Sequence, residues 1–347
     1  MPYQLPPDPS AERRGRTTRW VSFAFAAMLV VLVAYFGYIA YEGSRLLADA
    51  PAPTADCRTP AMLGWEYEAI NYDIETDDAL NAEADTESCT AFGAAAGDAV
   101  TGPDDVGLAG WYVPAANGSG QGGPTVVIAH GWGSRKSNML GRAAMLHDRY
   151  NVVLFDFRNH GQSGEATTTQ GVREAGDLQA ILDWLEANKA PDRIAVLGVS
   201  MGGASSLAEA DRDERVDALI IESTHATLAN AIQARMDRAG YPLSLPGSWA
   251  TLLGTLIRTG EDVSAADPVQ AIGRLDERPL LLIGGDADGS IGVDDASDLL
   301  AAAQDAGSPV TLEICADAGH AASADVCDEA YRGWVLGFLE RFLAPVS

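Results

Sequence analysis

The sequence predicts an α/β fold, a mostly parallel sheet flanked by helices, with a small helical cap and one transmembrane helix before it. Three observations predict it. Short apolar runs alternate with segments of helical period, and the alternation is interrupted once, at 224–265. Runs that are apolar throughout are typical of strands buried on both faces of a parallel sheet. An uncharged run near the start of the chain indicates the transmembrane helix.

Apolar runs alternate with segments of helical period over the last two thirds of the chain. Strands are expected at 125–131, 151–157, 193–200, 216–223, 279–285 and 309–315, and helices at 137–149, 171–189, 201–211, 294–306 and 324–343. Two earlier strands are expected at 65–76 and 107–114, separated by an irregular acidic insertion at 77–106. Residues 224–265 contain amphipathic helical pieces and no strand pattern, which predicts a cap inserted after the sixth strand.

The N-terminal run extends from Trp20 to Tyr41 without a charge. As a helix its 22 residues measure about 33 Å, enough for a hydrocarbon core of about 30 Å. Four arginines precede it (Arg13, Arg14, Arg16 and Arg19), so the positive-inside rule puts the N-terminus in the cytoplasm. We therefore expect a cytoplasmic tail at 1–19, a single span at 20–41, a linker at 42–62 and an extracytoplasmic domain at 63–347, held at the cell membrane.

A cleaved signal peptide is the alternative for this segment. Ala48-Asp49-Ala50 resembles a cleavage site, although Pro51 follows it. The apolar run is longer than the 7 to 15 residues that are usual in a signal peptide. This length favours an uncleaved anchor.

Charge and cysteine content restrict the partners and the compartment. The chain has 347 residues and a net charge of −26, which makes a nucleic acid an unsuitable partner. Its cysteines, Cys57, Cys89, Cys315 and Cys327, all follow the predicted span and form no C-x-x-C pair. In an oxidising compartment this pattern predicts two disulfides, Cys315–Cys327 and Cys57–Cys89. Four reduced, buried thiols are the alternative.

Ser200 occupies the centre of a G-x-S-x-G pattern where a strand is expected to give way to a helix. Gly198 and Gly202 let the strand and the helix approach at such a turn, which exposes the hydroxyl. A serine hydroxyl becomes a nucleophile only beside a base, and that base is oriented by a carboxylate.

Two histidines follow Ser200 in the chain. His225 comes directly after the sixth strand, and we expect it to be a cap or rim residue. His320 stands in a loop after the last strand, "PVTLEIC", and is the predicted base.

The acid is expected after the strand "PLLLIGG", where Asp286 and Asp288 compete. The same stretch resembles a calcium loop, but Ile291 replaces the required glycine and Ser297 the required glutamate, so no metal is predicted. Two backbone N–H groups should stabilise the oxyanion of a tetrahedral intermediate. We assign them to Met201, after the nucleophile, and to Trp132, in the loop after the third strand.

The combination of motifs resembles the α/β-hydrolase superfamily, and most of all its extended esterases, the Bem46-like and serine-aminopeptidase-like proteins. The matching stretches include "TVVIAHGWGSRKSN", "VVLFDFRNHGQSG", "GVSMGG", "RPLLLIGGDAD" and "AGH", and the likeness extends over about 110–340. The family's acid ends an H-G-x-x-D pattern, so the resemblance puts the acid at Asp288, with Gly284 in the place of the family's histidine.

The resemblance implies a serine hydrolase that cleaves a carboxylic ester or thioester through Ser200, His320 and Asp288, and the predicted span makes it membrane-anchored with its domain outside the cytoplasm. A small-molecule or lipid-like acyl substrate is expected, and no cofactor. A peptidase or amidase, or an acyltransferase, is the alternative on the same residues. A binding protein without catalysis is a further alternative on the same fold.

Overall fold

A mixed sheet with helices on both faces forms the centre of the molecule. The computed structural model describes residues 9–49, 58–70, 100–118, 122–275 and 277–343. In these residues the sheet has eight strands, β1 (Glu68–Ile70), β4 (Gly110–Val113), β5 (Thr125–Ala129), β6 (Asn151–Phe155), β7 (Ile194–Val199), β8 (Val216–Glu222), β9 (Leu280–Gly285) and β10 (Val310–Cys315). Across the sheet they lie in the order β1-β4-β6-β5-β7-β8-β9-β10.

The strands from β5 to β10 run parallel, and β1 and β4 pair antiparallel at one edge. The helices are α1 (Pro9–Ala48), α2 (Leu140–Leu146), α3 (Val172–Lys189), α4 (Met201–Ala210), α5 (Leu228–Arg238), α6 (Ser244–Thr259), α7 (Pro268–Ile272), α8 (Val293–Asp305), α9 (Ser323–Val326) and α10 (Asp328–Phe342). The predicted fold class is confirmed: a mostly parallel sheet between helices, with a long apolar helix before it.

Successive residues of each central strand enter two different hydrophobic clusters. In β5, Val127 packs in one cluster with α3, α4 and α8, and Ile128 packs in the other with α2 and α10. Side chains alternate across a strand, so a strand covered by helices on both faces has to be apolar at every position. The runs in the sequence are continuous for this reason.

The segment between β8 and β9 forms helices and no strand. It contains α5 and α6, then a 3-10 turn at Val263–Ala266, and α7. Thr227 begins α5 as its N-cap, where the side chain accepts the N–H of Asn230 at 3.3 Å. The segment lies beside the carboxyl end of the sheet, where β7 and β8 end.

Two local predictions need correction. Within the predicted irregular insertion at 77–106, the described part forms a short hairpin of β2 (Thr101–Gly102) and β3 (Val106–Gly107). The predicted linker at 42–62 is wrong over residues 42–48, because α1 continues to Ala48. Leucine and alanine near its end are strong helix formers, and Ser44 and Ala48 are buried against the rest of the molecule.

The C-terminal half of α1 is docked on the domain. The carbonyl of Ala48 accepts the N–H of Thr168 at 2.9 Å, and the carbonyl of Leu47 accepts the Gln170 side chain at 2.8 Å. These bonds satisfy carbonyl groups that the end of a helix leaves without partners. Residues 19–48 of the same helix are also long and apolar enough to cross a membrane, by length and composition.

Helix α6 packs against α1 at a point of very close backbone approach. A Cβ atom built on Gly254 would lie 2.2 Å from the carbonyl oxygen of Ala40, so only glycine fits there. Arg258 reaches Ser44 Oγ with its Nε at 3.2 Å, further along the same contact.

We predict that Gly254→Ala separates α1 from α6, because the added methyl overlaps a backbone atom that cannot rotate away. The free energy of unfolding in detergent should fall by about 1 to 3 kcal/mol, as for other overpacked contacts. Gly141→Ala is the matched control, since a Cβ at this position of α2 has no neighbour within 4 Å. The control should be as stable as the wild type or slightly more stable. Equal stability of both variants would contradict the tight contact.

Candidate active site

Ser200 lies at a sharp turn between β7 and α4, with φ 54° and ψ −118°. A non-glycine residue rarely adopts this backbone conformation, which costs of order 1 to 3 kcal/mol and persists only where the surroundings hold it. The Ser200 N–H is fixed by the carbonyl of Glu222 at 2.8 Å. Gly202 passes so close to β5 that a Cβ there would lie 2.2 Å from the carbonyl oxygen of Ala129.

His320 and Asp288 lie in line with Ser200. Nε2 of His320 is 3.1 Å from Ser200 Oγ, and Nδ1 is 2.8 Å from Oδ2 of Asp288. The other oxygen of Asp288 accepts the N–H groups of Ser290 at 2.7 Å and Ile291 at 2.9 Å. The structure thus brings together the three residues that the sequence predicted as nucleophile, base and acid.

The environment of Asp288 favours its charged form. Burial raises the pKa of this carboxyl, but the hydrogen bonds from His320 and from two backbone N–H groups outweigh it and lower the pKa below its ordinary value. Asp288 is therefore a carboxylate at neutral pH, able to keep a proton on Nδ1 of His320 and leave Nε2 free to accept one from Ser200.

The competing candidates for acid and base, Asp286 and His225, have other positions and contacts. Asp286 accepts the N–H of Asp317 at 2.6 Å, so it holds the loop that leads to His320. His225 is buried in the wall of the neighbouring cavity, and its burial and the charge of His320 lower its pKa to about 4. It is neutral at pH 7.

Two backbone N–H groups, of Trp132 and Met201, have no acceptor among the described residues. Met201 is the first residue of α4, where N–H groups point away from the helix without partners. The loop that carries Trp132 comes close to Ser200, since a Cβ on Gly131 would lie 3.2 Å from the Ser200 Cβ. Both predicted oxyanion donors therefore belong to segments that meet at Ser200.

Two histidines hold the Trp132 loop. Nε2 of His160 accepts the N–H of Gly133 at 3.0 Å, and Nε2 of His130 accepts the N–H of Phe157 at 3.0 Å. Burial, then the charge of His160, lowers the pKa of His130 to about 3. The lowered pKa values of His130 and His160 keep both imidazoles neutral, as hydrogen-bonded parts of the loop.

A buried ionic cluster beneath the site was missed by the sequence analysis. Arg142 donates Nε and Nη2 to the two oxygens of Glu222 at 2.9 and 2.8 Å. Tyr331 donates its hydroxyl to Glu222 at 2.8 Å, and Arg142 also reaches the carbonyl of Ala321 at 2.9 Å, next to His320. Glu222, a charged residue at the end of the apolar run of β8, was the sequence signal that could have indicated this cluster.

The charges of this cluster stabilise each other. Burial lowers the pKa of Arg142, but the charges and hydrogen bonds of Glu222 and Tyr331 together outweigh it and raise that pKa. Burial, then the charge of Glu222, raises the pKa of Tyr331. Arg142 stays a cation and Tyr331 a neutral donor.

A disulfide between Cys315 and Cys327 closes the segment that carries His320. One of the two predicted disulfides is thus present, on either side of the predicted base. Cys57 and Cys89 lie outside the described residues.

A cavity of about 440 Å³ opens beside Ser200 and His320. Helix α5 contributes Leu228, Ile232 and Met236 to its wall, and α1 contributes Tyr38, Ile39, Leu46 and Leu47. The predicted transmembrane helix is thus part of the wall. Among the described residues, no group of three or more His, Cys, Asp or Glu side chains is arranged to hold a metal ion.

Comparison with known proteins gives one family. A family model described as the alpha/beta hydrolase fold matches residues 124–252. The uncharacterized protein YfhR of Escherichia coli (strain K12) is 27% identical over 253 residues, 71% of this chain and 80% of YfhR. The uncharacterized protein YqkD of Bacillus subtilis (strain 168) is 30% identical over 226 residues, 62% of this chain and 71% of YqkD.

A solved structure with this architecture is the Pyrococcus furiosus esterase Pf2001. It is 25% identical, with a TM-score of 0.64, and the alignment covers 86% of this chain and 99% of Pf2001.

We predict that Glu222→Gln destabilises the molecule by about 3 to 5 kcal/mol, because it leaves the Arg142 guanidinium buried without a counter-charge. The measurement is equilibrium unfolding in detergent. Glu340→Gln is the matched control, since Glu340 pairs with Arg149 at the exposed surface, where an ion pair contributes little. An equal loss of stability in Glu340→Gln and Glu222→Gln would contradict the structural role of the buried pair of Arg142 and Glu222.

Proposed function

We propose that this chain, which belongs to the α/β-hydrolase family, is a serine hydrolase that cleaves a carboxylic ester through an acyl-enzyme. The observation that carries the proposal is the continuous hydrogen-bonded line from Ser200 through His320 to Asp288, at 3.1 and 2.8 Å. A hydroxyl, an imidazole and a carboxylate in this order are the groups that nucleophilic acyl transfer requires.

In the acylation step, Nε2 of His320 takes the proton of Ser200 as Oγ attacks the ester carbon. The carbonyl oxygen becomes an oxyanion, which accepts the N–H groups of Trp132 and Met201. Collapse of the intermediate breaks the ester C–O bond, and the imidazolium gives its proton to the departing alcohol. Water then attacks the acyl-serine by the same sequence, releasing the carboxylic acid and restoring the Ser200 hydroxyl.

Asp288 acts on His320 and not on the substrate. It holds the imidazole in the tautomer with the proton on Nδ1 and stabilises the imidazolium that forms during each step. The bonds from Ser290 and Ile291 fix this carboxylate and prevent it from turning away.

An ester is favoured over an amide as the scissile group. Pf2001, 99% of which aligns with this chain, is an esterase. The same acyl-serine can form from an amide, with the amine as leaving group, or can pass its acyl group to an alcohol in place of water, so peptidase or amidase and acyltransferase activities are the alternatives for the same three residues.

We further propose that α1 anchors the enzyme in the cell membrane, with the catalytic domain outside the cytoplasm. Four arginines before the apolar run favour this orientation. Removal of the helix by a signal peptidase at Ala48-Asp49-Ala50 would also remove Tyr38, Ile39 and Leu47 from the cavity wall. The contacts of α1 therefore favour its retention.

The proposed nucleophile is tested with Ser200→Ala. We expect loss of p-nitrophenyl butyrate hydrolysis by at least about 10³-fold and loss of labelling by a fluorophosphonate, with the fold unchanged by circular dichroism. Ser297→Ala, an exposed serine of α8, is the control and should keep both. Hydrolysis by Ser200→Ala above a few per cent of the wild-type rate would refute the assignment.

The proposed topology is tested on intact cells. The full-length chain should stay with membranes after a high-salt wash, because apolar insertion does not depend on charge screening. Protease added outside should digest the catalytic domain. A soluble mature protein that begins near residue 51 would show cleavage, and protection from the protease would reverse the orientation.

A further inference from the structure

Helix α6 carries an exposed apolar face beside the proposed anchor. Leu245, Trp249, Leu253 and Ile257 follow one another at intervals of four residues, and their side chains are 54%, 67%, 57% and 78% exposed. Intervals of four put them on one side of the helix. On a protein with a net charge of −26, such a continuous apolar strip indicates a surface with an apolar partner.

The length of α1 sets the depth at which the exposed face of α6 lies relative to a membrane. A hydrocarbon core of about 30 Å takes about 20 helical residues. Counted from Trp20, the first residue after the arginines, a span of this length ends near Ala40, the residue that Gly254 of α6 touches. The segment of α1 that holds α6 is thus the outer end of the span itself.

The contacts of α6 also give its direction. Its N-terminal end lies at Tyr35, which donates its hydroxyl to the carbonyl of Pro242, and its C-terminal end lies at Ser44, where Arg258 binds. Tyr35 is five residues before Ala40, about 7.5 Å further into the hydrocarbon. The apolar start of α6 is therefore deeper than its end, where Arg258 lies 5.6 Å from the ring of Tyr41. Arginine and tyrosine are typical of the lipid–water boundary.

The cavity beside Ser200 lies between α1 and α5, and Thr251 of α6 adds to its wall. Tyr38 of α1 and Tyr241, just before α6, both line it, and so does the nucleophile. An acyl chain that leaves the bilayer beside the start of α6 would reach the cavity wall at Tyr38 and Tyr241, and the same cavity leads to Ser200.

From these contacts we propose that α6 is embedded in the extracytoplasmic leaflet and that the substrate is an acyl-ester lipid of that leaflet, taken up into the cavity beside Tyr38 and Tyr241. The inference rests on the proposed serine hydrolase activity. The ester C–O bond of the lipid breaks, its acyl group passes to Ser200 Oγ, and the lipid alcohol leaves with the proton from His320. Water then releases the fatty acid.

Apolar insertion is the attraction that this surface offers to a membrane. The strongly acidic chain is repelled by anionic lipids, and charge contributes to peripheral binding only where basic residues are clustered. A helix that lies in the interface binds in proportion to its buried apolar area. The strip of α6 supplies that area next to the fixed anchor.

The test uses the full-length chain in vesicles of ether-linked phosphatidylcholine, which contains no scissile ester. Dioleoylphosphatidylglycerol and dioleoylglycerol are offered in these vesicles as charged and neutral lipid esters, and p-nitrophenyl butyrate is offered in water. The variant is Leu245→Ser with Trp249→Ser. Its matched control is Met62→Ser with Leu63→Ser, two exposed apolar residues outside α6 that are 56% and 48% exposed.

We expect the wild type to hydrolyse at least one lipid ester and the α6 variant to lose about tenfold or more of that rate. Butyrate hydrolysis should be unchanged in the variant, because neither side chain lines the cavity. The control pair should behave as the wild type toward both substrates. Butyrate turnover without turnover of either lipid would overturn the lipid substrate while leaving the hydrolase proposal intact. Failure on butyrate as well would overturn the hydrolase proposal and this inference with it.

A second measurement does not depend on activity. The difference between the fluorescence of the wild type and that of Trp249→Phe is the emission of Trp249. In vesicles with brominated acyl chains this emission should be quenched, because Trp249 would contact the chains. Trp65→Phe is the control, since Trp65 stacks on His147 at 4.5 Å, away from α6. Unquenched Trp249 emission would place α6 in water and overturn its embedding.

Discussion

The carboxylate of Glu222 connects most of the segments that form the site. Its side chain binds Arg142 of α2 and Tyr331 of α10, and its own carbonyl holds the N–H of Ser200. Through Arg142 the same cluster reaches the carbonyl of Ala321, so it extends to the loop of His320. A charge buried this deeply is tolerated only when each of its oxygens has a partner, and here the partners come from both sides of the proposed nucleophile. The strained backbone of Ser200 is therefore held by a residue that is itself fixed by its ionic and hydrogen-bonding partners.

The fold followed from the sequence because its cause is local. Each central strand has to be apolar on both faces, so β5 to β9 appear as continuous runs, and the helices between them show their period. The order of Ser200, Asp288 and His320 could be inferred because chemistry requires those residue types and the fold supplies their order. Between Asp286 and Asp288, spacing alone could not decide. The backbone N–H groups of Ser290 and Ile291, which hold Asp288, become visible only with coordinates.

Contacts between distant segments were not predictable in the same way. Arg142 and Glu222 are 80 residues apart, and no local pattern relates an arginine on one helix to a glutamate on a strand. The end of α1 was predicted as linker because its composition changes after Tyr41, yet Ser44 and Ala48 are buried by segments much later in the chain. The hairpin at 101–107 is short and contains a proline, so its strands leave almost no periodic signal.

The cavity is closed by the first helix of the chain and completed by one of its last loops. Leu47 and His320 line the same space, although nearly the whole domain lies between them in sequence. During synthesis, a chain that has emerged as far as Ser200 has its turn residue and the α1 wall, but neither the imidazole nor the carboxylate. The three proposed catalytic residues therefore come together only when β10 has joined the edge of the sheet and the loop after it has reached Ser200. A chain interrupted before β10 lacks His320, so Ser200 then has no imidazole beside it to accept its proton.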